Sequence, residues 1–222
     1  MLSTLNILIQ YKEAFLRGLF VTLELCFIIW VIGIIIGVLF GYLSSKFKNS
    51  FGIPLRTMSF ILAGIPILVL LFWFYYPAQT ILQVNIAPFW VTVFVLSVID
   101  IFYVADLVRN SLLNFPNEYK IAAKVCGLSQ KETFLKIEFP IVLRQILPGL
   151  LNIQVNILQL TLFASLISVE EIFKVAQEIN SQIYQPVEIY STLAVFFLII
   201  CLPLNGLAMW LKYKFTRNIS EQ

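Results

Sequence analysis

Five stretches of this sequence, at about 19–43, 57–76, 86–108, 144–169 and 190–211, are long and apolar, and only short polar links separate most of them. About 20 residues of α-helix, at 1.5 Å each, cross a ~30 Å hydrocarbon core. Inside lipid every backbone N–H and C=O has to be satisfied within its own segment, so such stretches can only be helices. The expected fold class is therefore all-α and integral to the membrane, with five transmembrane helices. At 60% hydrophobic and 12% charged residues, the 222-residue chain lies outside soluble-globular composition. Its net charge of +3 is divided among the links rather than pooled on one face, so membrane lipid is an expected partner and nucleic acid is not.

The links fix an expected orientation. Lys46, Lys48 and Arg56 lie between the first two spans with no acid, Lys212, Lys214 and Arg217 follow the last, and the long link after span three carries six cations against three acids. The link between spans two and three is uncharged, and the one between four and five holds Glu170, Glu171, Glu178 and Glu188 against Lys174 alone. Lysine and arginine mark the cytoplasmic side, so the N-terminus is expected outside and the C-terminus inside. Residues 1–18 then form an extracytoplasmic segment, 19–211 a five-span domain with a cytoplasmic loop at 110–148, and 212–222 a cytoplasmic tail. Lys12, Glu13 and Arg17 precede a first span too long for a cleaved signal, and no small-residue cleavage site follows it. Cys26, Cys126 and Cys201 are too scattered for a paired framework or a CxxC site. Histidine is absent, which removes the commonest general base and most metal sites.

Several spans carry groups that lipid does not tolerate freely. Gly33, Gly37 and Gly41 lie four apart, a ladder that lets a second helix approach closely, either within the fold or at a subunit contact. Glu24 belongs near a rim or beside a partner. Gly64 and Pro66 predict a kink in span two. Asp100 lies inside span three, and Asp106 one turn before Arg109 invites a local ion pair. In span four, Asn152, Asn156 and Gln159 recur at i, i+4, i+7, with Gln145 two turns earlier on the same face. Unsatisfied amides in hydrocarbon are strongly disfavoured, so this stripe faces protein or water. Interhelical hydrogen bonding and the lining of a polar passage both fit it.

Residues 114–148 read as two short cytoplasmic helices joined at a glycine. Asn114 is a candidate cap, with Pro116 in the first turn. Tyr119, Ala122, Ala123 and Cys126 form a small, smooth face at i, i+3, i+4, i+7. Gly127 ends the first helix, Ser129 and Glu132 make a capping box for the second, and Pro140 is expected to stop it.

This stretch resembles the EAA loop of membrane-spanning subunits of bacterial ABC importers. Ala122, Ala123, Gly127 and the Phe139-Pro140 pair match its pattern in identity and spacing, while the family's Glu falls on Ile121. Over about residues 12–217 the chain is similar to the polar amino-acid subgroup of these permeases. The resemblance rests on Gly18-Leu-Phe-Val-Thr22, on Tyr103-Val-Ala-Asp106-Leu-Val-Arg109, and on Asn152, Thr161 and Glu171. It implies a type I importer permease fold, multi-pass in the bacterial inner membrane. It also implies a coupling helix docked on a separate ATP-binding subunit through Tyr119, Ala122, Ala123, Gly127 and Pro140. A translocation path past Asp106, Asn152, Asn156 and Gln159 is expected, with ATP and Mg2+ held by the partner and no cofactor in this chain. An extracytoplasmic solute-binding protein would deliver a small organic solute, an amino acid by the resemblance, to the acidic face around Glu170 to Glu188. The subgroup's charged positions read Ala63, Gln159 and Leu160 here, which favours a heterodimer with a second, different permease.

The chain lacks G-x-x-x-x-G-K-[ST], so ATP chemistry is not expected in it, and without histidine no nucleophile–base grouping suggests an enzyme. Five spans do not divide into the paired repeats of secondary transporters. A non-transporting membrane scaffold derived from the same family is the remaining alternative.

Overall fold

A computed structural model of the protein describes residues 2–216, with side chains from 6 to 215. In chain order the helices are α1 (Leu2–Gln10), α2 (Lys12–Lys46), α3 (Ile53–Gly64), α4 (Ile67–Tyr75), α5 (Pro77–Leu82), α6 (Pro88–Leu113), α7 (Asn117–Val125), α8 (Gln130–Thr133), α9 (Phe139–Leu160), α10 (Ile172–Ile183) and α11 (Pro186–Thr216). Among the described residues four helical stretches are long and apolar enough to cross a membrane, and a bent pair, Lys48–Gly64 with Ile67–Leu82, makes five when counted as one broken span rather than a re-entrant loop. Arg217 and the rest of the expected tail lie outside the described residues.

The bundle is built on α2 against α6, its most extensive helix contact. The glycine ladder is the reason, and it works within the fold. A Cβ on Gly33 would overlap the Asp100 carboxylate, one on Gly37 would come 2.7 Å from Val104, and one on Gly41 would come 2.7 Å from the Ala105 carbonyl oxygen. Lipid tails are as apolar as leucine, so burying Leu25, Ile29 or Leu96 between helices gains little by hydrophobicity. The gain comes from backbone closeness and the dispersion contacts it allows. α9 closes the core on α6, where Gly149 sits against Leu107.

At the end of the bundle opposite the loop, Gly18 and Thr22 tie α2 to α10. A Cβ on Gly18 would meet the Ile172 backbone at 3.0 Å. Thr22 Oγ1 donates to the Gly18 carbonyl at 3.0 Å and accepts from the Ile172 N–H at 3.1 Å. The Glu171 carboxylate accepts from the N–H groups of Phe173 and Lys174 at 2.9 and 2.8 Å. Three of the four N–H groups that the start of a helix leaves unpaired are thus satisfied.

The expected span-two kink is present as a 94° bend: Ile65 is extended, as the residue before a proline prefers, and Pro66 has no N–H to continue the ladder. Four other sequence expectations are corrected. Asn114 is the C-cap of α6 rather than an N-cap, and Pro116 sits just before α7 rather than in its first turn. Pro140 does not stop a helix. A π-helical turn, Phe134–Glu138, lies directly upstream, giving the ring room and absorbing the missing hydrogen bond, so residues 130–167 run on as one rod. Asp106 does not pair with Arg109: it accepts a 2.6 Å hydrogen bond from Ser59 Oγ, 47 residues away, which joins α6 to α3.

Gly37→Ala is expected to destabilise the fold by about 1–3 kcal/mol through overpacking, read as a lowered thermal midpoint in detergent. Gly206→Ala, where nothing lies within 4 Å, is expected to be neutral or slightly stabilising.

Candidate functional site

The loop between α6 and α9 is a rigid elbow with chemistry at each joint. The Leu128 N–H donates to the Ala123 carbonyl and the Gly127 N–H to the Lys124 carbonyl, both at 3.0 Å, a Schellman ending for α7. It requires a left-handed residue after the cap, and Gly127 supplies φ +77°. The capping box of α8 is complete: Ser129 Oγ accepts from the Glu132 N–H, and Glu132 Oε2 accepts from the Ser129 N–H. The Glu132 carboxyl is pulled down to about 2, chiefly by the hydrogen bond from Lys136 and then by those from Ser129. Lys120 bridges back from α7 to Glu138 at 3.0 Å and lies 5.3 Å from the Phe115 ring. α7 is thereby strapped to the rod that continues into the membrane.

The exposed face of α7 differs from the expected one. Ala123 is 2% exposed and packs inward, whereas Ile121 is 63% and Val125 82% exposed, with Glu118 and Ala122 on the same side. Tyr119 is half-exposed and its ring lies tilted beside that of Phe115, with centroids 5.8 Å apart. Of the residues expected to dock a partner, Tyr119, Ala122 and Gly127 are accessible, Pro140 is partly buried in the rod, and Ala123 is not accessible.

In α9, Asn152, Asn156 and Gln159 are all exposed along one face, while Val155, Ile157 and Leu158 fill the core behind them. Gln145 accepts a 3.2 Å hydrogen bond from Ser111 Oγ, and Asp106 stays with Ser59, away from the stripe. The structure therefore brings together three of the four predicted path residues. It also shows a polar contact that sequence reasoning missed: buried Gln154 Nε2 donates to buried Asp100 Oδ1 at 3.1 Å, beneath Gly33. An intramembrane acid and a glycine at a crossing were both visible in the sequence, but their partner was 54 residues away. At the opposite end, Glu170 and Glu178 are exposed, but Glu171 is fully buried as a helix cap and adds nothing to an acidic surface.

Residues 25–220 match the family of binding-protein-dependent transport system inner membrane components. The chain belongs to this family. The chain is similar to the octopine transport system permease protein OccM of Rhizobium radiobacter, 31% identical over 156 residues, which are 67% of this chain and 64% of that protein. The histidine/lysine/arginine/ornithine permease HisQ of Escherichia coli is 25% identical over 221 residues, covering 95% of this chain and 97% of that protein. The fold matches a crystal structure of an amino acid ABC transporter with TM-score 0.83 at 23% identity, over 93% of this chain and 96% of the other. It matches an inward-facing methionine ABC transporter, MetNI, with TM-score 0.70 at 18% identity, over 93% and 98% of the two chains. As a permease component the chain is not itself catalytic, and it is a multi-pass membrane protein of type I permease fold.

Burial pushes the Glu171 carboxyl up to about 7, with its two backbone donors pulling the other way. A folded-state pKa above the ordinary 4.5 gives support that is full below about 4.5 and is lost as the pH rises through about 7. Glu171→Gln keeps an acceptor and removes the charge, so thermal midpoints across that pH window are expected to flatten relative to the parent. An unchanged slope would contradict the assignment.

Proposed function

We propose that this permease component forms half of the translocation path of an ATP-driven importer of a small organic solute, an amino acid or a close derivative. The observation that carries this reading is the exposed Asn152–Asn156–Gln159 stripe on an otherwise apolar span. Facing lipid it would leave several amide groups unsatisfied, whereas facing a second membrane subunit across a wet passage it finds partners. The relatives named for octopine and for histidine, lysine, arginine and ornithine support the solute class. Charge at positions 63, 159 and 160 is absent from this chain, which supports a solute held through hydrogen bonds or a partner permease that supplies the charge. A second, different permease, a solute-binding protein, and an ATP-binding subunit carrying ATP and Mg2+ complete the proposed assembly in the inner membrane. The N-terminus lies outside and the C-terminus inside.

The mechanical route follows from the elbow. An ATP-binding subunit under α7 meets Ile121 and Val125, two apolar side chains one turn apart, so this copy docks by burial of apolar area where the family pattern has an acid. Movement of α7 passes through the Lys120–Glu138 bridge and the capping box into residues 130–167. That single rod carries the polar stripe, so closure of the ATP-binding subunits shifts the lining of the path directly.

Val125→Asp places a charge in the docking contact and is expected to abolish ATP-driven uptake by proteoliposomes holding the whole complex, while membrane insertion stays intact. Uptake at the parent rate would count against the docking role of α7. Asn156→Leu is expected to lower uptake at least tenfold without releasing the ATP-binding subunit, which separates path from docking.

A further inference from the structure

The loop end of the bundle gathers cations that the transport reading does not use. Arg144 of α9 lies between two adjoining cavities. One, of about 380 Å³, runs past Gln145, Pro148, Gly149 and Asn152, the loop-side end of the polar stripe, to Lys212 at the end of α11. The other, of about 220 Å³, shares Arg144, Gln145 and Phe215 and adds Tyr119 and Lys214. Among the described residues no Asp or Glu lines either cavity. The ion pairs among the described residues, Lys120–Glu138 and Lys136–Glu132, leave Arg144, Lys212 and Lys214 without an acidic partner. Three cations from two helices thus border one cleft with no counter-charge among the described residues, beside a phenol and an amide able to donate hydrogen bonds.

The surroundings say what kind of anion fits. Trp210 and Tyr213, 53% and 65% exposed, stand on the last turns of the membrane-spanning α11, and Lys214 Nζ lies 4.7 Å from the Trp210 ring centroid. Exposed aromatic residues at the end of a span mark the headgroup level of a bilayer. Pro116, Pro148, Gly149, Ile141 and Phe215 add apolar walls, with Asn152 as one further polar group, which suits the glycerol and first acyl carbons below a phosphate. Basic pockets between spans at this depth recognise anionic headgroups by charge and by bidentate Arg–phosphate bonding. We propose that the α9–α11 cleft binds the phosphate-bearing headgroup of an anionic phospholipid, with Arg144 as its bidentate anchor and Lys212 and Lys214 as flanking charges. This site depends on the membrane location of the chain and borders the proposed path at Asn152, so its anchors are Arg144, Lys212 and Lys214 and not the stripe.

The test compares the purified protein, with whatever subunits accompany it, in nanodiscs of phosphatidylcholine alone and with added phosphatidylglycerol. Retained lipid is read by native mass spectrometry after detergent release, alongside the thermal midpoint. The parent is expected to retain phosphatidylglycerol and to melt higher in its presence. The triple variant Arg144→Gln/Lys212→Gln/Lys214→Gln is expected to lose both effects, with retention falling roughly fivefold per cation removed. Lys46→Gln/Lys48→Gln, which removes two cations at the same end but outside the cleft, is expected to behave as the parent. If the triple variant does not fold, Lys212→Gln/Lys214→Gln, confined to exposed residues, carries the same comparison. Equal retention in the cleft variant, or an equal loss in the Lys46/Lys48 pair, would overturn the proposal. So would inorganic phosphate giving the same stabilisation in phosphatidylcholine discs, because the occupant would then be a soluble anion. Phosphatidylglycerol on the isolated chain but absent from the complex would also overturn it, by showing that a partner's acidic surface fills the cleft.

Discussion

The close approach of α2 and α6 along Gly33, Gly37 and Gly41 is the contact on which the rest of the bundle depends. It brings a buried carboxylate to the axis, where Asp100 meets Gln154 of α9 beneath Gly33. A side chain larger than hydrogen at any of the three glycines would open the crossing and separate that pair. The same crossing sets the position of α9, because Gly149 seats the helix against Leu107 of α6. With α9 fixed from behind, its amide stripe is held outward. The exposed polar face is therefore a consequence of close packing on the opposite side of the same helix.

Two groups of polar side chains within the spans differ in how they meet lipid. Thr22, Asp100 and Gln154 are buried and find partners inside the chain. Asn152, Asn156 and Gln159 are exposed, and Glu24 stands exposed on α2. Gln159 bonds to Cys201 of α11, and exposed polar groups left over at membrane depth are tolerated only where water or another protein covers them. An incomplete surface of this sort belongs to a component of a larger assembly, in keeping with the family to which the chain belongs. The cytoplasmic elbow follows the same economy of local bonding: each of its joints is closed by short-range hydrogen bonds, so it needs little tertiary support to stay rigid.

Much of this was legible in the sequence because the governing forces are local. The spans followed from hydrophobic length, and the elbow followed from Gly127 and from the Ser129–Glu132 box, whose bonding partners lie within a few residues. The α9 stripe was readable for the same reason, its spacing of 4 and 3 residues being helical. The errors lie where distant residues decide. Small-residue periodicity put Ala123 on the docking face, but packing turned it inward and left Ile121 and Val125 outside. Asp106 chose Ser59 over the nearby Arg109, and Pro140 was accommodated by a π-helical turn that no residue pattern announced. The resemblance to importer permeases was carried partly by residues whose physical task became clear only in three dimensions, Gly18 and Thr22 being the joint to α10.

The central claim is that this chain is one membrane half of a machine powered by a separate ATP-binding protein docked on α7. The most direct measurement is the mass of the intact complex extracted from native membranes in mild detergent, with its chains identified. The account predicts this chain together with an ATP-binding subunit and a second, different permease, and loss of the ATP-binding subunit alone on Val125→Asp. The chain recovered by itself, under conditions that keep other membrane complexes whole, would contradict it and favour a scaffold that no longer transports.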